Sequence, residues 1–426
     1  MLLEEKQIPY RVEKINMRSY GEKPGWYLRL VPSGLLPAVS LDGRLITESL
    51  VIMQLLDATF GAPRRAMLPP AGSEALERAE ELLQLERKLF GWWCQSIFRP
   101  GGGRSEIGFR ETLDEVDRAL GETPGPWFLG PYPGNGGSPG GIANADCGPS
   151  LVDLTYVPHL ERMAASAVYW RGLRIRGNSR WPNIDRWFDA LELRPSYMAS
   201  KSDFYTHVRD IPPQYGDGFF GDGAAVDAAA AAVAGQDGSW SLPLPSLRGP
   251  DTGPGFDGLG PLEPVLPSND PGVELACQEA ALRLIRNRAA VTRFACRGAG
   301  TSSGWSNRPG RALLSDPDAV PNDDVASDVS LVLRAVAAAL LAGETTTAAA
   351  ALSTAAVAAS AVAKAGGGGG DATGVAGRAA AVAQCVEYLR DRVGVPRDMP
   401  YPAARQLRAH LNWARDMVLA APANGP

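Results

Sequence analysis

The dipeptide Asp42-Gly43 lies between two short runs, Ala38-Val39-Ser40-Leu41 and Arg44-Leu45-Ile46-Thr47, and it constrains the fold more than any other feature. An Asp-Gly pair accepts the positive φ angles of a two-residue hairpin turn, so the two runs are expected to pair as antiparallel strands. A further strand is expected at residues 10–15, where Tyr10-Arg11-Val12-Glu13-Lys14-Ile15 alternates. Gly25–Leu30 reads as a short apolar helix. Glu48-Ser49 opens another through Leu50, Ile52, Met53, Leu55 and Leu56. Ahead of these, residues 2–6 read as the tail of a helix, with Leu2 and Leu3 apolar and Glu4, Glu5 and Lys6 facing solvent. Residues 1–62 therefore read as a small α/β domain.

After a Pro-rich linker the periodicity is helical. A capping signature at Ser73 starts a helix with Leu76, Ala79, Leu83 and Phe90 on one face. Helices are also expected at Arg110–Leu120, from Ser150 through Met163, and at Ile184–Glu192, giving an all-α domain over 73–204. Residues 205–270 lose periodicity and fill with Pro, Gly, Ala and Asp, which reads as a disordered linker. A helical extension follows at 271–420, with a low-complexity Ala/Ser/Thr/Gly insert at 345–370. Its expected core faces are Leu275, Leu282, Ile285 and Ala289; Val325, Val329, Val332, Val336 and Leu340; Val382, Cys385, Val386, Leu389 and Val393; and Leu407, Leu411, Ala414 and Val418.

Composition narrows the chemistry. A net charge of −5 leaves no global basic footprint for nucleic acid. The five cysteines are scattered without a metal-ligand spacing, and His159, His207 and His410 stand far apart in sequence, so no metal is expected. No signal peptide is read at the start, because Leu2-Leu3 runs straight into acidic residues. The apolar run around 347–363 has too few large side chains for a membrane span.

Leu36-Pro37 at the head of a strand is anomalous, because proline removes a ladder donor. One solution is a cis bond that leaves the Leu36 N–H and C=O for an extended ligand; the other is an ordinary edge-strand proline. Glu48-Ser49 likewise has two readings. The helix N-terminus and Ser49 hydroxyl suit an anion while Glu48 suits an adjacent ammonium, or the pair is plain capping.

Taken together, EKPGWYLRLVPSGLLPAVSLDGRLITES resembles the thioredoxin-like N-terminal domain of glutathione transferases, most of all the cysteine-type omega and lambda branches. SLVDLTYVPHLERM and WPNIDRWFDALELRPSY resemble helices of that family's all-α domain, so the resemblance covers residues 1–200. It implies that Leu36, before a cis Pro37, pairs through its backbone with the cysteinyl part of glutathione. Glu48 and Ser49 would hold the γ-glutamyl group, and Lys23 would reach the glycyl carboxylate. Ser150 and Asp153 match the family's N-capping box, a folding element. The same resemblance puts the first strand and the thiol-activating Cys, Ser or Tyr before LLEEKQIPY, so the expectation is a cradle whose catalytic residue lies upstream of Met1.

Within the chain, the resemblance puts Cys94 on a helix that lines the electrophile pocket, but it reads first as a buried structural cysteine; Trp92, Trp93 and Phe98 read as an apolar substrate wall or, more simply, as core. His159 reads as a partly buried helix residue, and Arg405, Arg408 and Arg415 as a solvated face. Two functions follow. One is a glutathione-dependent transferase or thiol reductase acting on a small electrophile or disulfide. The other is a non-catalytic glutathione- or ligand-binding scaffold. The resemblance also allows a homodimer, in the cytoplasm or a plastid, with neither nucleic acid nor membrane as partner.

Overall fold

The structure is a computed structural model that describes residues 1–16, 22–61, 65–99, 103–130, 147–244, 261–263, 270–304, 316, 318–342 and 372–420. The described residues form two compact units, one built from residues up to 230 together with 261–263, the other from 231–244 and 270–420.

The first unit opens with α1 (Leu2–Glu5) and α2 (Gly25–Leu30), followed by strands β1 (Ala38–Leu41) and β2 (Arg44–Thr47) and helix α3 (Ser49–Thr59). The strands pair antiparallel as expected, Ala38 opposite Thr47 and Leu41 opposite Arg44. Asp42 and Gly43 both take positive φ, 50° and 79°, the turn that matches strand twist. Residues 10–15 do not form the expected strand. They are mostly exposed and extend without a ladder, because alternation alone cannot hold a strand that finds no partner among the described residues.

The start of the chain is also more buried than its charges suggest. Lys6 is fully buried, with Nζ 2.6 Å from Asp57 Oδ1 and 2.7 Å from the Arg65 carbonyl. Asp57 in turn accepts the Met67 and Leu68 N–H groups. Glu5 is bound by Arg194 and by the Ser196 hydroxyl. The expectation of a solvated face at Glu5 and Lys6 is therefore corrected, and the pairing pins α1 to α3. Leu2, Ile52, Leu56, Met67, Leu151 and Leu154 close a small core around these groups.

The helical part comprises α4 (Glu74–Ile97), α5 (Gly103–Gly121), α6 (Leu151–Arg171), α7 (Pro182–Glu192) and the short α8 (Pro195–Met198). Ser73 caps α4 by accepting the Leu76 N–H. Ser150 and Asp153 form a reciprocal capping box at α6. The fully buried Asp153 also accepts the Phe128 N–H at 3.1 Å and the Trp187 Nε1–H at 2.9 Å, tying α6 to α7. Trp93 is core, its Nε1–H donating to Ser166.

Beyond residue 204 the structure departs from a featureless linker. Helices α9 (Phe204–Asp210), α10 (Pro212–Tyr215) and α11 (Ala224–Val233) occur there, and α9 packs on α6. Asp203 caps α9, while Tyr205, Val208 and Ile211 bury one short face, too brief a stripe to stand out in sequence. Residues 245–260 and 264–269 of the expected linker lie outside the described residues, as does the low-complexity insert at 345–370.

The second unit packs α12 (Val273–Arg286), α13 (Arg288–Ala295), α14 (Ala326–Ala342), α15 (Ala372–Arg390) and α16 (Tyr401–Ala420) around one core. The expected stripes on α14, α15 and α16 are buried, as is Val393. On α12 the expected face is the wrong one. Leu275, Leu282 and Ile285 are exposed, whereas Ala276, Cys277, Ala280, Ala281 and Leu284 face the core, where small residues let helices approach closely. Arg408 is corrected too. It is fully buried, donates to the Val393 carbonyl at 2.7 Å and lies over the Trp240 ring. Among the described residues, one helical segment, Asp323–Ala342, is long and apolar enough to cross a membrane; its Val329, Val332, Val336 and Leu340 belong to this core.

Candidate functional site

The loop before β1 is held from two sides. Tyr27 donates its hydroxyl to the Leu35 carbonyl at 2.6 Å, and Lys23 Nζ donates to the Gly34 carbonyl. Gly34 adopts φ 65°, a left-handed conformation that an L-residue reaches only with strain. The Leu36-Pro37 bond is cis. Leu36 is exposed, and its N–H and C=O make no hydrogen bond among the described residues.

Eleven residues after Pro37, Glu48 enters α3 with φ 67° and ψ 109°. A non-glycine residue in such a region costs on the order of 1 kcal/mol or more, and outliers of this kind concentrate where a ligand is held. The Glu48 side chain does not cap the helix, so plain capping by Glu48 is not what the geometry shows. Glu48 and Ser49 are both exposed.

Pro37 and Ser49 face one cleft of about 430 Å³, within the size range of small-molecule sites. Leu3, Val39, Ile52 and Met53 line it on the side of the hairpin and α3. Leu154, Val157, Pro158, Glu161 and Arg162 of α6 form the opposite wall, with Ser200 and His207 beside them. Leu36 and Glu48 adjoin Pro37 and Ser49 in the chain but do not line this cleft. Lys23 does not line it either, and its amine is engaged with the loop at Gly34.

Sequence reasoning missed the polar wall. His207 Nε2 lies 2.7 Å from Glu161 Oε1, which also accepts the Ser202 N–H at 2.8 Å. Burial pushes the Glu161 carboxyl up, but the bond to His207, the His207 charge and the Ser202 N–H outweigh it and hold the group below the usual carboxylate range. A second histidine–carboxylate pair stands nearby on the helices. His159 Nδ1 is 2.5 Å from the buried Glu86, which is held low in the same manner against its own burial. Nothing local in the sequence links Glu161 with His207, since 46 residues and several turns separate them.

Cysteine chemistry is not supplied by this wall. Cys94 is the one cysteine among the described residues that is not buried, and burial of its thiol pushes it up to about 11. Among the described residues no group of three or more His, Cys, Asp or Glu side chains is placed to hold a metal.

A family model described as "Glutathione S-transferase, N-terminal domain" matches residues 1–59, the stretch that carries the hairpin, Leu36-Pro37 and Glu48-Ser49. The chain is 28% identical over 131 residues to glutathione S-transferase DHAR2 of Arabidopsis thaliana, covering 30% of this chain and 55% of that protein. It is 25% identical over 186 residues to protein IN2-1 homolog A of Oryza sativa subsp. japonica, covering 43% and 66%. Against glutathione S-transferase L3 of Arabidopsis thaliana it is 26% identical over 185 residues, covering 43% and 68%. The chain thus spans roughly half to two thirds of the length of these relatives. A solved structure titled "Leishmania TDR1 - a unique trimeric glutathione transferase" aligns at TM-score 0.40 and 13% identity over 92% of this chain and 76% of that one, too loose a likeness to argue from. On this match and these relatives, residues 1–59 are similar to the N-terminal domain of glutathione S-transferases.

Proposed function

We propose that the first unit binds glutathione in the cleft beneath α6 and that the chain acts as a glutathione-dependent transferase or thiol reductase. The observation that carries this reading is the convergence of Pro37 and Ser49 on one cleft, with the unpaired Leu36 backbone beside it. In this reading Leu36 pairs with the cysteinyl backbone of the tripeptide. The Ser49 hydroxyl and the N–H groups that open α3 take the γ-glutamyl carboxylate, and Glu48 takes the ammonium. Lys23, which donates one N–H to the Gly34 carbonyl, has further ammonium protons for the glycyl carboxylate. The second substrate is a small electrophile or a disulfide admitted along the apolar side chains of α6. A homodimer in the cytoplasm or a plastid accords with this reading, and some curated relatives are named as chloroplastic.

Calorimetric titration with glutathione tests the cradle. Ser49→Ala and Glu48→Gln each remove a charge-assisted hydrogen bond worth about 1.5–3 kcal/mol, which is roughly a 10- to 100-fold loss of affinity. A wild-type chain that binds no glutathione overturns the reading. The second reading is a non-catalytic glutathione- or ligand-binding protein. The Cys94 thiol, pushed up to about 11, favours it, because a thiol so rarely ionised is a poor nucleophile. Turnover of electrophile or disulfide substrates by the glutathione-bound chain decides between the two.

A further inference from the structure

We propose that His207, oriented by Glu161, is the general base of the cleft and takes the proton of the thiol bound there. The inference rests on the glutathione reading above. A carboxylate only accepts hydrogen bonds, so the contact between His207 Nε2 and Glu161 Oε1 assigns the ring proton to Nε2. In the neutral ring the lone pair is thereby left on Nδ1, for which no protein partner stands among the described residues. This is the arrangement in which a carboxylate fixes the tautomer of a base and stabilises the imidazolium that forms.

The position fits the task. His207 lines the same cleft as Pro37 and Ser49, while its side chain is only 9% exposed, so its exchange with bulk water is limited. The charged neighbours favour an anion in front of it. Arg162, one residue after Glu161 on α6, lines the cleft, and its buried Nε has no hydrogen-bond partner. Behind Glu161 stand Tyr197 and Lys201, the latter paired with Glu192 at 2.5 Å.

In the step itself the S–H bond of the glutathione cysteinyl breaks and its proton passes to Nδ1. The sulfur keeps the electron pair as thiolate, and the imidazolium stays bonded to the ionised Glu161, which takes no proton. Arg162 and the imidazolium both lower the energy of the thiolate.

The test follows the ultraviolet absorbance of the bound thiolate against pH in the full chain. In the wild type the bound thiol should titrate at least one unit below the free value of about 8.5, a roughly tenfold larger thiolate fraction at neutral pH. His207→Gln keeps a donor for Glu161 and replaces the basic nitrogen by an amide oxygen that takes no proton, so the bound thiol should rise toward the free value while S-methylglutathione, which has no thiol proton, binds as before. A thiol that titrates identically in wild type and His207→Gln overturns the proposal and leaves the cradle standing. A wild type that binds neither glutathione nor S-methylglutathione overturns the cradle and the base together. Should His207→Gln fail to fold, the wild-type imidazole resonance decides. Glutathione should raise the titration of His207 and S-methylglutathione should not; equal effects of the two ligands refute the proposal.

Discussion

Replacing Lys6 by Met tests the argument that a buried ion pair, rather than apolar burial alone, seats α1. The pair is closed off from water: the Lys6 side chain is 0% exposed and that of Asp57 9%, with charges 2.6 Å apart. At an effective dielectric near 20 the attraction is about 6 kcal/mol, while taking each ion out of water costs several kcal/mol, so the pair nets close to zero against an apolar replacement of both. Removing one partner is different. Lys6→Met leaves the Asp57 charge buried and the Arg65 carbonyl short of a donor. A broken buried pair of this kind costs about 3–5 kcal/mol. Asp57 keeps the Met67 and Leu68 N–H groups, which places the expected loss at the lower end, about 3 kcal/mol. Urea unfolding followed by tryptophan fluorescence reads it, since most tryptophans lie in the first unit. The double variant Lys6→Met/Asp57→Asn should recover part of the loss, because the stranded charge is gone. A Lys6→Met chain within about 0.5 kcal/mol of wild type, the range of ordinary surface changes, refutes the reasoning.

Asp153→Ala should cost about 4 kcal/mol in the same unfolding experiment, because it strands the buried Phe128 N–H and Trp187 Nε1–H and removes the α6 capping box; a loss under 1 kcal/mol contradicts that. At Gly43 an added Cβ meets no atom within 4 Å, so the cost of Gly43→Ala comes from φ 79° alone and should be about 1–2 kcal/mol, seen as a lower urea midpoint without loss of helix signal. Glu86 and Glu161 are ionised below their unfolded range, so their stabilisation is present above about pH 4.3 and is lost as pH falls through their folded values. Thermal melts of the wild type should therefore weaken below that pH, and Glu86→Gln should show a shallower acid slope; an unchanged slope is the contrary result. Burial holds Asp153 up despite its donors, so protonating that group does not add to the acid loss.

Where the information is local, the sequence was readable. The hairpin follows from ten consecutive residues, including a turn whose φ angles only certain residues accept, α3 follows directly after it, and Leu36, Pro37, Glu48 and Ser49 lie in or beside those same elements. The α12 face was misread because Leu and Ala carry the same binary signal, and packing chose the small residues at positions 276, 277, 280 and 281 over Leu275 and Leu282. Lys6 was misread because a charge in a short amphipathic segment is ordinarily solvated, and its partner stands 51 residues away. The strand expected at 10–15 shows the same limit in reverse, since alternation describes one chain segment while a ladder needs two. His207 and Glu161 carry no spacing signal at all. Their pairing exists only once α9 has packed against α6.

Pro158 is the point at which stability and binding meet in α6. It lies inside the helix and has no N–H, so the intrahelical bond to the Leu154 carbonyl is missing. Leu154 and Pro158 both line the cleft, and the Arg162 Nη1 that follows one turn later is bonded to the Pro158 carbonyl at 2.7 Å. The missing donor thus leaves a carbonyl acceptor on the apolar end of that wall, beside Leu154 and Val157 and within two turns of Glu161 and Arg162. Pro158→Ala supplies the N–H and relieves the ring clash, so the first unit should gain up to about 3 kcal/mol. If that carbonyl serves the ligand, the same change should weaken glutathione binding by roughly two- to tenfold, about 0.5–1.5 kcal/mol for one neutral hydrogen bond. Unfolding and titration of the same variant separate the two effects. A chain that gains stability and binds glutathione as before shows that the proline shapes only the helix. One that gains nothing shows that the Leu154 carbonyl already has its partner.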